Sequence, residues 1–229
     1  MNYKFLKSQI GSDEVGVGDF FGPIVVAAVF LEDEKKINKI IKNGVKDSKK
    51  INNLKISEIG DFIIKNCHYN YEIIDNERFN KNCGNFNLNE IKCMLHNKLL
   101  FDLYSKYHLE YPKINLCIDQ FIDKKKYYEY LKKNNIKNIA KNIIFKTKGE
   151  NYFPSVAAAS IVARYFFLKE INKINQKYKT NIPLGAVYKK IDPFSIDFIK
   201  KHGINEFNKI VKIKFKNYGR ILKLIKLTK

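Results

Sequence analysis

Four acidic residues stand where acids are costly. Asp13 and Glu14 sit side by side at the front of GSDEVGVGDFFGPIVVAAVF, residues 11 to 30, just ahead of the most apolar run in the chain. Asp119 closes a second apolar stretch, INLCID, and Glu150 follows a third, ahead of a long helical pattern. Taken singly, such acids are ordinary turn residues and helix caps. Gathered on one patch they would raise one another's pKa until some protonated. Divalent cations that prefer hard oxygen ligands, Mg²⁺ or Mn²⁺, remove that conflict and bind phosphate at the same time. Two such ions about 3.5–4 Å apart hold both the attacking and the leaving oxygen of a phosphodiester. The chemistry indicated is metal-dependent phosphodiester cleavage.

The elements that must position these acids follow from periodicity. Residues 8–14, 24–31, 69–74, 114–119 and 139–145 read as strands, the second fully apolar. Residues 35–42, 54–66, 88–107, 124–134 and 155–178 read as helices. The last of these opens with Ala157, Ala158, Ala159, Ser160 and Ala163, small enough for close approach to a sheet. Asp192 and Pro193 look like an N-cap and first helical position, with Gly203 past the last turn. From Phe207 the tail is basic and amphipathic. Strands and helices alternate, which predicts an α/β fold with a mixed sheet flanked by helices and a helical C-terminal part. Carboxylates at the ends of strands are where such folds build their sites.

Composition narrows the class. A chain of 229 residues with 45% hydrophobic content is expected to fold as a single domain, 1–229. No internal repeat or Pro/Gly/Ser-rich linker divides it. The longest apolar run, Ile24 to Leu31, is far short of the about 20 residues that span a bilayer. The start, MNYKFLKSQ, has no apolar signal core, so a cytoplasmic location is expected. A net charge of +20 points to a polyanionic partner. It fits a lysine-rich compositional bias equally well, since the only arginines are Arg78, Arg164 and Arg220. Cys67, Cys83, Cys93 and Cys117 form no CxxC pair. Cys93 and His96 have a spacing that zinc accepts, but with no second close pair, buried free thiols are the expectation.

The motifs also resemble a known family. GSDEVGVGDFFGP is similar to the first active-site motif of the type 2 ribonucleases H, and most similar to that of ribonuclease HIII. GVKDSKK (44 to 50), IDQF (118 to 121) and KTKGENYFPSVAAASIVARY (146 to 165) resemble later motifs in the same order. PLGAVYKKID and the KIKFKN region resemble the C-terminal segments more loosely. The resemblance implies an RNase H-like fold and endonucleolytic cleavage of the RNA strand of RNA–DNA hybrids, leaving 5′-phosphate and 3′-hydroxyl ends. It implies that Asp13, Glu14, Asp119 and Glu150 hold two Mg²⁺ or Mn²⁺ ions, bridged by Asp13. The main chain of Gly16, Val17 and Gly18 would meet the 2′-hydroxyl or adjacent phosphate. Glycine permits that approach, and the 2′-hydroxyl separates RNA from DNA. The same glycines also suit a tight turn. Ser48 and Lys49 would contact phosphate or cap the next helix, and Lys146, Lys148 and Arg164 would support substrate binding.

Within the family, Val17 stands where ribonuclease HII usually carries Arg, and Glu150 where it usually carries Asp. Both favour the HIII type. The separate N-terminal substrate-binding domain usual in HIII has no counterpart ahead of the first motif, and the basic surface is expected to compensate through phosphate contacts. Two alternatives are carried. One is HII-like incision at single ribonucleotides in DNA. The other is a basic nucleic-acid-binding protein without catalysis, against which the intact set of four acids counts. A monomer is expected.

Overall fold

A computed structural model describes residues 7–45, 52–82 and 84–227. Ser48, Lys49 and Cys83 lie outside the described residues. In chain order the elements are β1 (Gln9–Val15), β2 (Ile24–Leu31), α1 (Glu34–Lys42), α2 (Asn53–Asn66), β3 (His68–Ile74), α3 (Asn76–Asn82), α4 (Leu88–Tyr107), β4 (Asn115–Asp119), α5 (Lys124–Lys133), β5 (Ile144–Lys146), α6 (Pro154–Tyr178), α7 (Tyr188–Asn208) and α8 (Lys216–Leu227). The strands form one mixed sheet in the order β3-β2-β1-β4-β5. β1 runs antiparallel to β2 and parallel to β4, and β4 runs parallel to β5. The expected α/β fold with a mixed sheet and a helical C-terminal part is what forms.

The chain divides into two compact units. The first holds Met1–Val15, Val25–Glu72 and Leu88–Phe166. Its centre is β2, buried along all eight residues because both faces of the sheet are covered. Against β1 lies the start of α6, and here the small residues matter. A Cβ on Gly11 would stand 2.3 Å from the backbone nitrogen of Val156, so only glycine admits the helix. Gln9 completes the junction: its Oε1 accepts from the Ser155 amide (3.1 Å) and hydroxyl (2.8 Å), satisfying donors at the helix start.

The second unit holds Gly16–Ile24, Ile73–Asn87 and Phe167–Lys229. Phe20, Phe21, Phe198, Phe207, Val211 and Ile221 make its core. Phe20 and Phe21 meet edge-on at 4.9 Å.

Three sequence expectations change. The strand expected over 139–145 is only Ile144–Lys146. Ahead of it, Asn97 takes the place of a sheet neighbour: its Oδ1 accepts the Ala140 amide at 2.9 Å, and its Nδ2 donates to the Asn138 carbonyl at 2.7 Å. Asn142 then turns left-handed with φ 57°. Asp192 and Pro193 do not start a helix, since α7 begins at Tyr188 and contains Pro193. The Asp192 carboxylate instead takes a two-pronged ion pair from Arg220, at 2.6 and 2.8 Å. Gly203, at φ 81°, does break the helical path, and the chain resumes helix beyond it. α3 was not expected; it is short and starts where Asp75 accepts the Arg78 amide at 2.7 Å.

Candidate active site

The four acids all belong to the first unit. Parallel pairing of β1 with β4 sets Ser12 opposite Ile118, so Asp13 and Asp119 are the next residues along neighbouring strands. Pleating sends successive side chains to opposite faces. Ser12 and Glu14 accordingly turn toward α4, where both meet His96, while Asp13 turns toward α6 and the Ser160 hydroxyl.

Asp13 carries the strain of this arrangement. Its carboxyl is pushed well above the usual carboxylate range, first by burial, then by the negative charge of Glu14 and also of Asp119. The Ser160 hydroxyl and the Glu14 amide, 2.8 Å from Oδ1, pull the other way. Glu14 is the opposite case. Burial pushes its pKa up, but contacts from His96 and Lys92 outweigh it and hold the group below its ordinary value. His96 Nε2 lies 2.8 Å from Oε2, with Nδ1 2.9 Å from Ser12 Oγ. The Lys92 ammonium pairs with Oε1 and lies 3.8 Å from the centre of the Phe121 ring.

Asp119 is tied to the fourth acid through the backbone. Its Oδ1 accepts the Gly149 amide at 2.8 Å, and Glu150, buried, is the next residue. A Cβ on Gly149 would approach Asp119 Cα to 3.1 Å, so the glycine is what lets the two segments meet this closely. The oxygen-only donor set suits a hard divalent cation. The negative charge gathered around Asp13 is what such a cation would relieve. Among the described residues, though, no group of three or more His, Cys, Asp or Glu stands ready to hold an ion. Glu14 is turned to Lys92 and His96 instead.

The remaining candidates are scattered. Gly16, Val17 and Gly18 follow β1 in the chain and belong to the second unit. Gly16 has φ 93°, and a Cβ there would stand 2.2 Å from the Pro23 carbonyl oxygen. Gly18 is exposed, with nothing within 4 Å of an added Cβ. Lys148 is exposed and left-handed at φ 55°. Lys146 is exposed, its ammonium 4.7 Å from the Tyr152 ring. Arg164 donates to Asn53 Oδ1 at 3.0 Å. Cys67, Cys93 and Cys117 are buried free thiols, with burial raising Cys67 and Cys93 to about 12.

Lys92, His96 and Ser160 were not picked out as site residues by sequence. Ser160 was read only as a small residue in a packing run, and His96 only with Cys93. A signal was present in α4: Lys92 and His96 are four apart, hence on one helix face, and that face is buried. Met94 and Leu95, in the apolar stripe read from sequence, are only half-buried.

The family described as Ribonuclease HII matches residues 10–218. The chain belongs to the ribonuclease HII family. Ribonuclease HIII of Bacillus mycoides (strain KBAB4) is 38% identical over 222 residues, which cover 96% of this chain and 69% of that relative. The crystal structure of Bst-RNase HIII in complex with Mn²⁺ superposes with a TM-score of 0.88 at 33% identity, over 96% of this chain and 71% of that one. Ribonuclease H2 from Pyrococcus horikoshii OT3 shares the fold, with a TM-score of 0.76 at 23% identity, over 96% and 99% of the two chains. Membership of the ribonuclease HII family, with relatives of the HIII type, makes the protein a ribonuclease H, a hydrolase. No helix among the described residues is long and apolar enough to cross a membrane.

Proposed function

We propose that this ribonuclease H cleaves the RNA strand of RNA–DNA hybrids, using Asp13, Glu14, Asp119 and Glu150 to hold divalent cations. The observation that carries this reading is the register of β1 and β4. It sets Asp13 beside Asp119 at the ends of parallel strands, with Glu150 one residue past the amide that Asp119 binds. Mg²⁺ or Mn²⁺ bound there, two ions to the site, would supply charge neutralisation at the phosphate and an activated water, the usual two-metal chemistry of phosphodiester hydrolysis. In this reading the product ends are 5′-phosphate and 3′-hydroxyl.

The chain's own residues have defined tasks. The β1 and β4 backbones fix Asp13 and Asp119 on a rigid sheet, which places ligands more accurately than loops do. Ser160 orients the Asp13 carboxyl, and Gly149 orients that of Asp119. Lys92 balances the charge of Glu14, and the His96 ring lies within hydrogen-bond distance of it. In the second unit the main chain at Gly18 is open to a ribose–phosphate backbone; in the first, Lys148, Lys146 and Arg164 offer positive charge to phosphate. The protein would act as a monomer.

The test is cleavage of two labelled duplexes, a long RNA–DNA hybrid and a DNA duplex with one ribonucleotide, with Mg²⁺, with Mn²⁺ and with chelator. Metal-dependent cutting of the hybrid alone is expected. Cutting at the single ribonucleotide would move the specificity to that of ribonuclease HII. Tight binding with no cutting in either metal would leave a binding protein.

A further inference from the structure

The second unit contains a buried lysine that the proposed chemistry does not use. Lys212 is fully buried, and its Nζ donates to the main-chain carbonyls of Asp19 at 2.8 Å and Gly22 at 2.6 Å. An ammonium group in such a place is costly. Burial drives its pKa down to about 7, with the nearby Asp19 carboxylate opposing. Removing it would leave two carbonyls without their donor.

Those carbonyls belong to the segment that follows the glycine turn. The turn closes where the Asp19 amide donates to the Gly16 carbonyl at 3.2 Å. Beyond it, the chain is held by hydrogen bonds within the same unit. Phe20 donates to the Gly185 carbonyl, Gly22 donates to that of Ile210, and the Lys212 amide donates to that of Phe20, each at 3.0 Å. Phe21 bridges Val211, and Asp19 Oδ1 accepts the Gly185 amide at 2.6 Å. Lys212 is the side chain that grips both ends of residues 19 to 22.

We propose that Lys212 is a positioning residue for substrate: by holding Asp19 and Gly22 it fixes the exposed main chain at Gly18 for the ribose–phosphate backbone of the RNA strand. The proposal rests on the reading of the glycine turn as a ribonucleotide contact. Lys212 itself touches no substrate and acts through the turn.

The experiment uses the full chain carrying Lys212→Met, which keeps the length of the side chain and removes the donor. Amide hydrogen exchange at Asp19, Phe20 and Gly22 is measured beside steady-state cleavage of the hybrid, with Gly18→Ala as the independent probe of the turn. Faster exchange at these amides is expected, with KM for the hybrid raised about tenfold and kcat within about twofold of wild type. A purely structural role would not confine the change to KM. Unchanged exchange overturns the proposal, as does an unchanged KM while Gly18→Ala still raises it. If KM is unchanged in both variants, the reading of the turn fails, and the role of Lys212 with it. Should Lys212→Met not fold, Lys212→Leu, which also removes the donor, goes through the same measurements. If neither folds, Lys212 serves folding alone and the proposal is lost.

Discussion

At the scale of single residues, Asp13 sets stability against function. Its folded-state pKa lies above the ordinary carboxylate value because burial and two neighbouring acids disfavour the charge. A raised carboxyl pKa contributes stability at low pH that is lost as pH rises through the folded value. Asp13→Asn removes that loss. Without metal, the variant is therefore expected to melt higher than wild type at about pH 8, with a smaller gap at about pH 4. Thermal denaturation at both pH values checks it, and equal melting curves would contradict it. The same variant is expected to lose cleavage. Gly16 and Gly18 separate two reasons for glycine within one motif. Gly16 is demanded by the fold, at positive φ with no room for a Cβ, whereas at Gly18 the fold demands nothing. Gly16→Ala should lower stability by at least about 1 kcal/mol, while Gly18→Ala should change it by less than about 0.5 kcal/mol. Gly18→Ala should nevertheless weaken hybrid binding. Urea denaturation and hybrid titration read the two effects separately.

At the scale of elements, the site depends on how closely α6 and the turn at Gly149 approach the sheet. Gly11→Ala would drive a methyl into the backbone of Ser155 and Val156. A cost of about 3 kcal/mol or more is expected, read from urea denaturation. A near-neutral result would mean that α6 can retreat without consequence. This is also where sequence reading succeeded and failed for physical reasons. The unbroken apolar run was enough for β2, because a strand covered on both faces takes apolar residues throughout. The run of alanines announced the close approach of α6. The strand expected over 139–145 was misjudged because the Asn97 side chain, distant in sequence, captures the backbone that a sheet partner would have taken. Asp192 misled because its carboxylate is held by Arg220 rather than by a helix start. Of the candidate site, the places of Asp13, Glu14 and Asp119 beside apolar strands were legible. The pleat that turns Asp13 and Glu14 to opposite faces was not drawn from the sequence, and so neither was the Lys92–His96 grip on Glu14. That grip exists only once α4 is packed on β1.

At the scale of the whole molecule, the net charge of +20 is the widest feature and the least specific. The chain spans 69% of the length of the B. mycoides relative. Hybrid affinity is expected to fall by about tenfold or more between roughly 50 and 200 mM salt, as released counterions require. A flat salt response in a filter-binding titration would mean that the lysines reflect composition alone. The proposed role of the carboxylates at the ends of β1 and β4, holding divalent cations for cleavage of the RNA strand, is narrower and more specific. The measurement that tests it most directly is single-turnover cleavage of an end-labelled hybrid by wild type and by Asp119→Asn, in Mn²⁺ and in chelator, with circular dichroism to show that both are folded. The account predicts cleavage by wild type in Mn²⁺ and none in chelator, with a rate lower by at least about 10³-fold in the folded variant. Cleavage that survives chelation, or that Asp119→Asn leaves intact, would contradict it.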